Sequence, residues 1–305
     1  MSGLDGKVAV VTGAGRGLGR EEVLDLAAHG ARIVINDIDL PDAAEAAEQT
    51  AAEIRDAGGE ALVVLGDCAD SQHAEALMRR TLETYGDINI MVNNAGFLRD
   101  KTIFSMTDEE FDSVVRVHLR GHFINMRNVT SYWRSKAKAG EEIYGRLIST
   151  SSEAAIYGSA GQPNYAAAKS GIVAMTMGAA QLMIGYGVTC NVLMPRAETD
   201  MTSVGPTAEM FKAPAEGFHH FDPANVAPLV SYLSSEKAAH ISGEVFIVWG
   251  NMVNVLQRPT ILPPHVNPAG EEKWSLDGLH LSLSSHFNED YKPVHDGFSM
   301  PIPQG

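Results

Sequence analysis

The chain has 305 residues, 45% of them hydrophobic and 20% charged, enough apolar material for one large core. A net charge of −15 argues against nucleic acid and against an anionic membrane surface, since both reward clustered Lys and Arg. Cys68 and Cys190 are the only cysteines, too few for a disulfide framework or a cysteine zinc site.

The first strand is expected at Lys7–Thr12, where an apolar run stops at the glycine cluster Gly13-Ala14-Gly15-Arg16-Gly17-Leu18-Gly19. A helix running to Gly30 follows it. Further apolar runs at Arg32–Asp37, Ala61–Leu65, Ile88–Asn93, Gly145–Ser149, Val188–Leu193 and Val245–Trp249 read as strands buried on both faces. Between them, Pro41–Ala57 reads as a helix stopped by Gly58-Gly59. Thr107-Asp108-Glu109-Glu110 reads as an N-cap and acidic first turn leading into Phe111–Trp133. Lys136–Glu142 reads as a charged, solvated loop. The alternation predicts an α/β, Rossmann-type doubly wound parallel sheet, a single domain over 1–250 with a Pro-rich C-terminal extension over 251–305. That extension either docks through Leu256, Ile261, Leu262, Trp274 and Phe287 on the body or a neighbouring subunit, or, over its last dozen residues, stays disordered.

Three features carry chemistry. Glycines between a strand and a helix let backbone approach a pyrophosphate at the helix N-terminus. Asp37, ending the second strand, stands where an acid hydrogen-bonds a ribose 2′-OH and repels a 2′-phosphate, which points to NAD over NADP; otherwise it caps the turn before Pro41. Arg16 argues the other way, since an arginine in that loop can reach a 2′-phosphate. Tyr165 and Lys169, four apart on a helix beginning near Asn164, share one face, so the ammonium is expected to pull the phenol below its usual pKa and make it a general acid/base. Ser152, after the fifth strand, is placed to hold the reacting oxygen.

Thr12-Gly-x-x-x-Gly-x-Gly19, Asn93-Asn94-Ala95-Gly96, and Ser152 thirteen residues before Tyr-x-x-x-Lys together resemble the short-chain dehydrogenase/reductase family over nearly all of residues 5–250. The resemblance implies Tyr165 as acid/base, Ser152 as the substrate-oxygen ligand, and Lys169 on the nicotinamide ribose. It also implies Asn94, Ala95 and Gly96 on the adenosine side, Asp67 and Cys68 near the adenine, and Pro195 and Thr199 flanking the nicotinamide. Three places depart from the family pattern, one of them Trp249-Gly250-Asn251, where Asp-Gly-Gly is the common ending. His118 stands where an asparagine is usual, either relaying protons itself or filling a helix kink whose backbone serves the relay. Arg196 stands where a glycine is usual, narrowing the nicotinamide side, meeting an acidic substrate, or lying solvated in a loop.

Asn93–Lys101, His118–Phe123 and Ile156–Tyr165 resemble the (3R)-hydroxyacyl-CoA dehydrogenase part of peroxisomal multifunctional enzymes, a group that also oxidises 17β-hydroxysteroids. The resemblance implies a 3-hydroxyacyl thioester or sterol-like alcohol as substrate, under an apolar lid at Thr199–Phe221, in a homodimer or homotetramer. An NADPH-dependent 3-oxoacyl reductase and a catalytically silent NAD-binding regulator are the alternatives. The adjacent His219 and His220 are a poor metal pair, so no metal is expected. Residues 1–7 show no signal-peptide pattern, no apolar run is of bilayer length, and the ending Pro301–Gly305 shows no peroxisomal address. A cytoplasmic enzyme with no membrane partner is expected.

Overall fold

The structure, a computed structural model, describes residues 3–203, 208–267, 273–288 and 290. The chain divides into two compact units, Met1–Leu256 and Gln257–Gly305. In the first unit, strands and helices alternate: β1 (Val8–Thr12), α1 (Gly17–Ala28), β2 (Arg32–Asp37), α2 (Pro41–Asp56), β3 (Ala61–Leu65), α3 (Ser71–Tyr85) and β4 (Ile90–Asn93). Next come α4 (Asp108–Val115), a π-helical turn at Arg116–Arg120, α5 (Gly121–Lys138), β5 (Gly145–Thr150), α6 (Ala154–Tyr157), α7 (Pro163–Met183) and β6 (Val188–Pro195). The unit ends with α8 (Ala208–Phe211), α9 (Ala227–Ser234), β7 (Val245–Trp249) and β8 (Met252–Val255).

The strands form one eight-stranded sheet in the order β3-β2-β1-β4-β5-β6-β7-β8, parallel except for the last pair. Alternation along each strand explains why helices cover both faces. Ala9 and Val11 join one core cluster while Val8 and Val10 join the other; Ile33 and Ile35 part from Val34 in the same way, and Ile90 and Val92 from Met91. Strand order reverses between β1 and β4. That leaves a crevice at their C-terminal ends, where an open α/β sheet binds ligands.

Several expectations are corrected. β8, absent from the sequence reading, extends the sheet past residue 250, paired antiparallel with β7. The helix expected to end near Trp133 runs on to Lys138, so the charged stretch is helical for its first three residues. The long helix is also split. Thr107 is the anticipated N-cap of α4 and in addition forms a reciprocal cap with Glu110, but the wider π turn separates α4 from α5 and puts His118 inward at 1% exposure. One described helix, Pro163–Tyr186, does reach bilayer length with a mean hydropathy of 1.2. It packs on β6, α4 and α6 and carries the buried Lys169, with 33% of its apolar stretch buried.

The second unit holds α10 (Leu276–Leu283), where proline content predicts none. The Ser275 hydroxyl caps it, accepting the Gly278 amide at 3.0 Å. The last dozen residues, for which docking and disorder were both expected, lie outside the described residues.

Candidate active site

The crevice opens into a cavity of about 620 Å³ lined by Gly13, Arg16, Gly17, Leu18, Asp37–Ala43 except Asp39, Asn94–Gly96 and Thr199–Met201. Its floor is the glycine loop. Gly13 has φ +65°, and a Cβ there would stand 2.8 Å from the Ala95 Cα, so only glycine lets the β1 and β4 loops close on each other. Thr12 and Asn94 lock that closure: the Thr12 hydroxyl accepts the Asn94 and Ala95 amides, and the Asn94 side chain donates to the Thr12 and Gly13 carbonyls. The N-terminus of α1 has no side-chain cap, leaving its first amides for an anion.

Asp37 reaches the cavity with its carboxylate held in place. One oxygen accepts the Gly15 amide at 2.8 Å and the other the Ile38 amide at 2.8 Å. Arg16 turns to Asp200, 3.8 Å away. Gly15 and Gly19 lie beneath the lining, against Asp37 and against Gly13 and Asn94. Asp67 and Cys68, expected near the adenine, do not line this cavity. Asp67 pairs with Arg116 of the π turn at 2.5 Å and accepts the Ala69 amide. The buried Cys68 faces Gly121, and burial, with Asp67 and Asp37 adding to it, pushes its thiol up to about 12.

Tyr165, Lys169 and Ser152 come together outside the lining of this cavity. Asn164, fully buried, starts α7: its side-chain oxygen accepts the Tyr165 amide while its nitrogen donates to the Arg99 and Glu110 carbonyls. Lys169 Nζ lies 5.4 Å from the Tyr165 ring centre and donates to the Thr150 carbonyl at 2.7 Å. The Ser151 hydroxyl, donating to the Lys169 carbonyl, ties the Ser152 loop to the same helix.

The titration of the pair differs from expectation. Burial holds the Tyr165 phenol up at about 12, with the neighbouring Ser152 hydroxyl pulling it down and Asp100 pushing it up. Burial alone brings the Lys169 ammonium down to about 7. Two desolvated groups thus favour their neutral forms, an effect that four-residue spacing does not reveal.

His118 meets Tyr165 edge-on, ring centres 5.2 Å apart. Its Nε2 lies 2.8 Å from the Phe97 carbonyl and 3.1 Å from the Phe97 amide; a proton on Nε2 satisfies the shorter contact and leaves Nδ1 as a buried acceptor. Burial, followed by repulsion from Lys169, holds its pKa well below 6.5, so the ring is neutral. Gly96 makes room for it, since a Cβ there would fall 2.0 Å from the ring. His122, one turn on, is also buried and brought down to about 3.

Arg196 is neither solvated nor in the cavity. Only 6% exposed, it forms a two-point ion pair with Glu153 and lies over Trp249. Pro195 ends β6 beside Val248, and Thr199 lines the cavity. Around the expected lid, Phe211 and Phe221 stack on each other and are buried, whereas Met210 and Phe218 are exposed. His219 contacts Glu198 and the Phe211 carbonyl, while His220 packs on Phe218. Among the described residues no three His, Cys, Asp or Glu side chains converge to hold a metal ion. The sequence reading missed Ile38, Leu40, Asn164 and Glu153. The two apolar residues after Asp37 were the one available signal.

Residues 7–208 match the short chain dehydrogenase family. The chain belongs to that family, and is an oxidoreductase of CH–OH groups built to bind a nicotinamide dinucleotide. It is similar to the hydroxyacyl-CoA dehydrogenase ChsB1 of Mycobacterium tuberculosis, 45% identical over 282 residues, covering 90% of this chain and 84% of that protein. It is also 37% identical over 237 residues to the peroxisomal multifunctional enzyme type 2 of Drosophila melanogaster, covering 76% of this chain but 37% of that longer enzyme. A short chain dehydrogenase from Mycobacterium avium, of known crystal structure, superposes with a TM-score of 0.84 at 39% identity, over 96% of this chain and 99% of that one.

Proposed function

We propose that the chain is a cytoplasmic NAD-dependent dehydrogenase that interconverts a secondary alcohol and a ketone on a 3-hydroxyacyl-CoA or hydroxysteroid-like substrate. The observation that carries this reading is the grouping of Tyr165, Ser152 and Lys169 next to a dinucleotide-sized cavity with a fixed carboxylate, Asp37, in its wall. The residues present fit the cofactor: a glycine floor that a Cβ would block, uncapped amides on α1 for the pyrophosphate, and Asp37 for the adenosine ribose hydroxyls. Lys169 and Thr199 would hold the nicotinamide end. The turning of Arg16 toward Asp200 supports NAD over NADP.

Bound nicotinamide supplies the hydride acceptor or donor. The protein handles the proton and the orientation. The Ser152 hydroxyl holds the substrate oxygen; Tyr165 Oη takes the alcohol proton in oxidation and returns it in reduction. A phenol held near 12 keeps its proton as a weak acid, and drawing that proton off calls for a cation beside it, which Lys169 supplies in its protonated form. Neutral His118, edge-on to the Tyr165 ring, fixes its orientation and carries no charge that would oppose Lys169.

The apolar exposed Met210 and Phe218, with Met201 in the cavity wall, support a hydrophobic substrate. Similarity to the mycobacterial hydroxyacyl-CoA dehydrogenase supports the acyl thioester. Buried, unpaired Cys68 and Cys190 support a reducing compartment. Exposed Ile103, Phe104 and Phe123 support a homodimer or homotetramer.

The test is NADH formation from (3R)-hydroxyacyl-CoAs, 17β-hydroxysteroids and simple secondary alcohols, run against NADP and against Tyr165→Phe. NAD-linked turnover of the first or second group, lost in the variant, supports the proposal. A preference for NADP, with faster reduction of 3-oxoacyl thioesters, overturns the reading of Asp37. NAD binding without turnover of any substrate points to a silent regulator.

A further inference from the structure

Three neighbouring parallel strands end at one cluster. Glu153 follows Ser152 at the end of β5, Arg196 follows Pro195 at the end of β6, and Trp249 closes β7. Arg196 Nε and Nη2 donate to the two Glu153 carboxylate oxygens at 2.6 and 2.7 Å, and the guanidinium lies 4.5 Å from the Trp249 ring centre. The Arg196 amide donates to the Val248 carbonyl at 3.0 Å. All three side chains are at most 6% exposed. The Glu153 carbonyl accepts the Ile156 and Tyr157 amides, so fixing Glu153 also fixes the turn that presents Ser152.

A buried ion pair is a poor route to stability, because desolvating two charges offsets most of their attraction and apolar residues of similar volume serve as well. What a bidentate guanidinium–carboxylate pair adds is geometry, two parallel hydrogen bonds that allow one relative placement. We propose that Glu153 and Arg196 are positioning residues for Ser152: the pair, laid on Trp249, sets where the Ser152 hydroxyl stands relative to Tyr165. The proposal rests on the dehydrogenase reading, in which Ser152 holds the substrate oxygen. It also accounts for an arginine at a position where the family pattern has glycine.

The test uses the full-length protein. Glu153→Gln and Arg196→Lys keep side-chain length and lose the two-point pairing, and Glu153→Met with Arg196→Met replaces the pair by apolar volume. The expected result is a fall in kcat of about 30-fold with KM held within about threefold. In a Ser152→Ala background the same changes cost less than about threefold more, because the group they position is gone. Losses that multiply in full in that background, or a doubly substituted Met protein with wild-type kcat, overturn the proposal. Hydrogen exchange reads the placement without turnover: amides 152–157 exchange at least about tenfold faster in the double Met protein, with β1 and β4 unchanged. Unchanged exchange at 152–157, or a rise across the whole sheet, overturns it as well. A wild type that oxidises no alcohol would refute the dehydrogenase reading alone, and the exchange measurement still decides the brace.

Discussion

Glu22 offers a direct check on how burial sets charge in this protein. It lies on α1 among Leu18, Val23 and Leu26, is 1% exposed, and its Oε2 has no hydrogen-bond partner among the described residues. Burial raises its carboxyl from the ordinary 4.5 to about 8. Between these values the folded chain holds a proton that the unfolded chain has released, so this group makes stability fall as pH rises from about 4.5 to about 8. At 1.36 kcal/mol per unit, the cost is about 4 kcal/mol near pH 7.5 and under about 1 kcal/mol near pH 5. Glu22→Gln keeps the shape and removes the titration. Urea unfolding at fixed protein concentration should show the variant gaining about 3 kcal/mol more, relative to wild type, near pH 7.5 than near pH 5. An identical difference at the two pH values would refute the reasoning, because it would mean that Glu22 is ionised in the folded chain or titrates normally there.

Acid should expose the opposite sign. His122, at about 3, and His118, well below 6.5, stay neutral in the fold while the unfolded chain takes up protons below about 6.5. Stability is therefore lost on acidification through that window, by about 1.4 kcal/mol per pH unit for each group, and His122→Gln should reduce the slope of the urea midpoint against pH. Tyr165→Phe is expected to lower kcat about 10³-fold with little change in KM, since the phenol moves a proton and does not anchor the substrate; steady-state kinetics on the substrate found decides this. Asp37→Ser should raise the ratio of NADP to NAD turnover at least about tenfold by removing a carboxylate from the ribose end, with the effect shrinking at high salt. A ratio that stays put would mean that selectivity lies elsewhere.

Sequence patterns reported on what is local. Apolar runs of five or six residues marked seven of eight strands because a sheet covered on both faces has no polar side to interrupt them. β8 escaped notice since it is four residues long and mostly exposed, with Asn254 breaking its apolar character. Tyr165 and Lys169 were paired by helical spacing, and Asp37 by its offset from the glycines. Glu153 and Arg196 are 43 residues apart on different strands, a contact that spacing cannot suggest. For Arg196 alone the sequence leaves three roles open, and it offers no signal for Glu153. The raised phenol and lowered ammonium were misjudged for a related reason: proximity was legible, whereas the extent of desolvation belongs to the packed structure.

The π turn at Arg116–Arg120 makes α4 and α5 a single rod with a built-in change of phase. One residue more than an α-helix needs is spent there, so side chains before and after the turn follow two different angular clocks. Deleting one residue from this turn would restore an unbroken α-helix with everything downstream in its present phase, because the wider turn had absorbed the extra residue; keeping the residue but winding it as α-helix would instead rotate the rest by about 100°. The deletion would leave His122, Met126, Val129 and Trp133 facing the core and would remove the bulge that carries His118 inward. The bulge therefore confines a one-residue change of length to the turn itself, whereas the same change in the middle of α5 would re-index the rest of the helix.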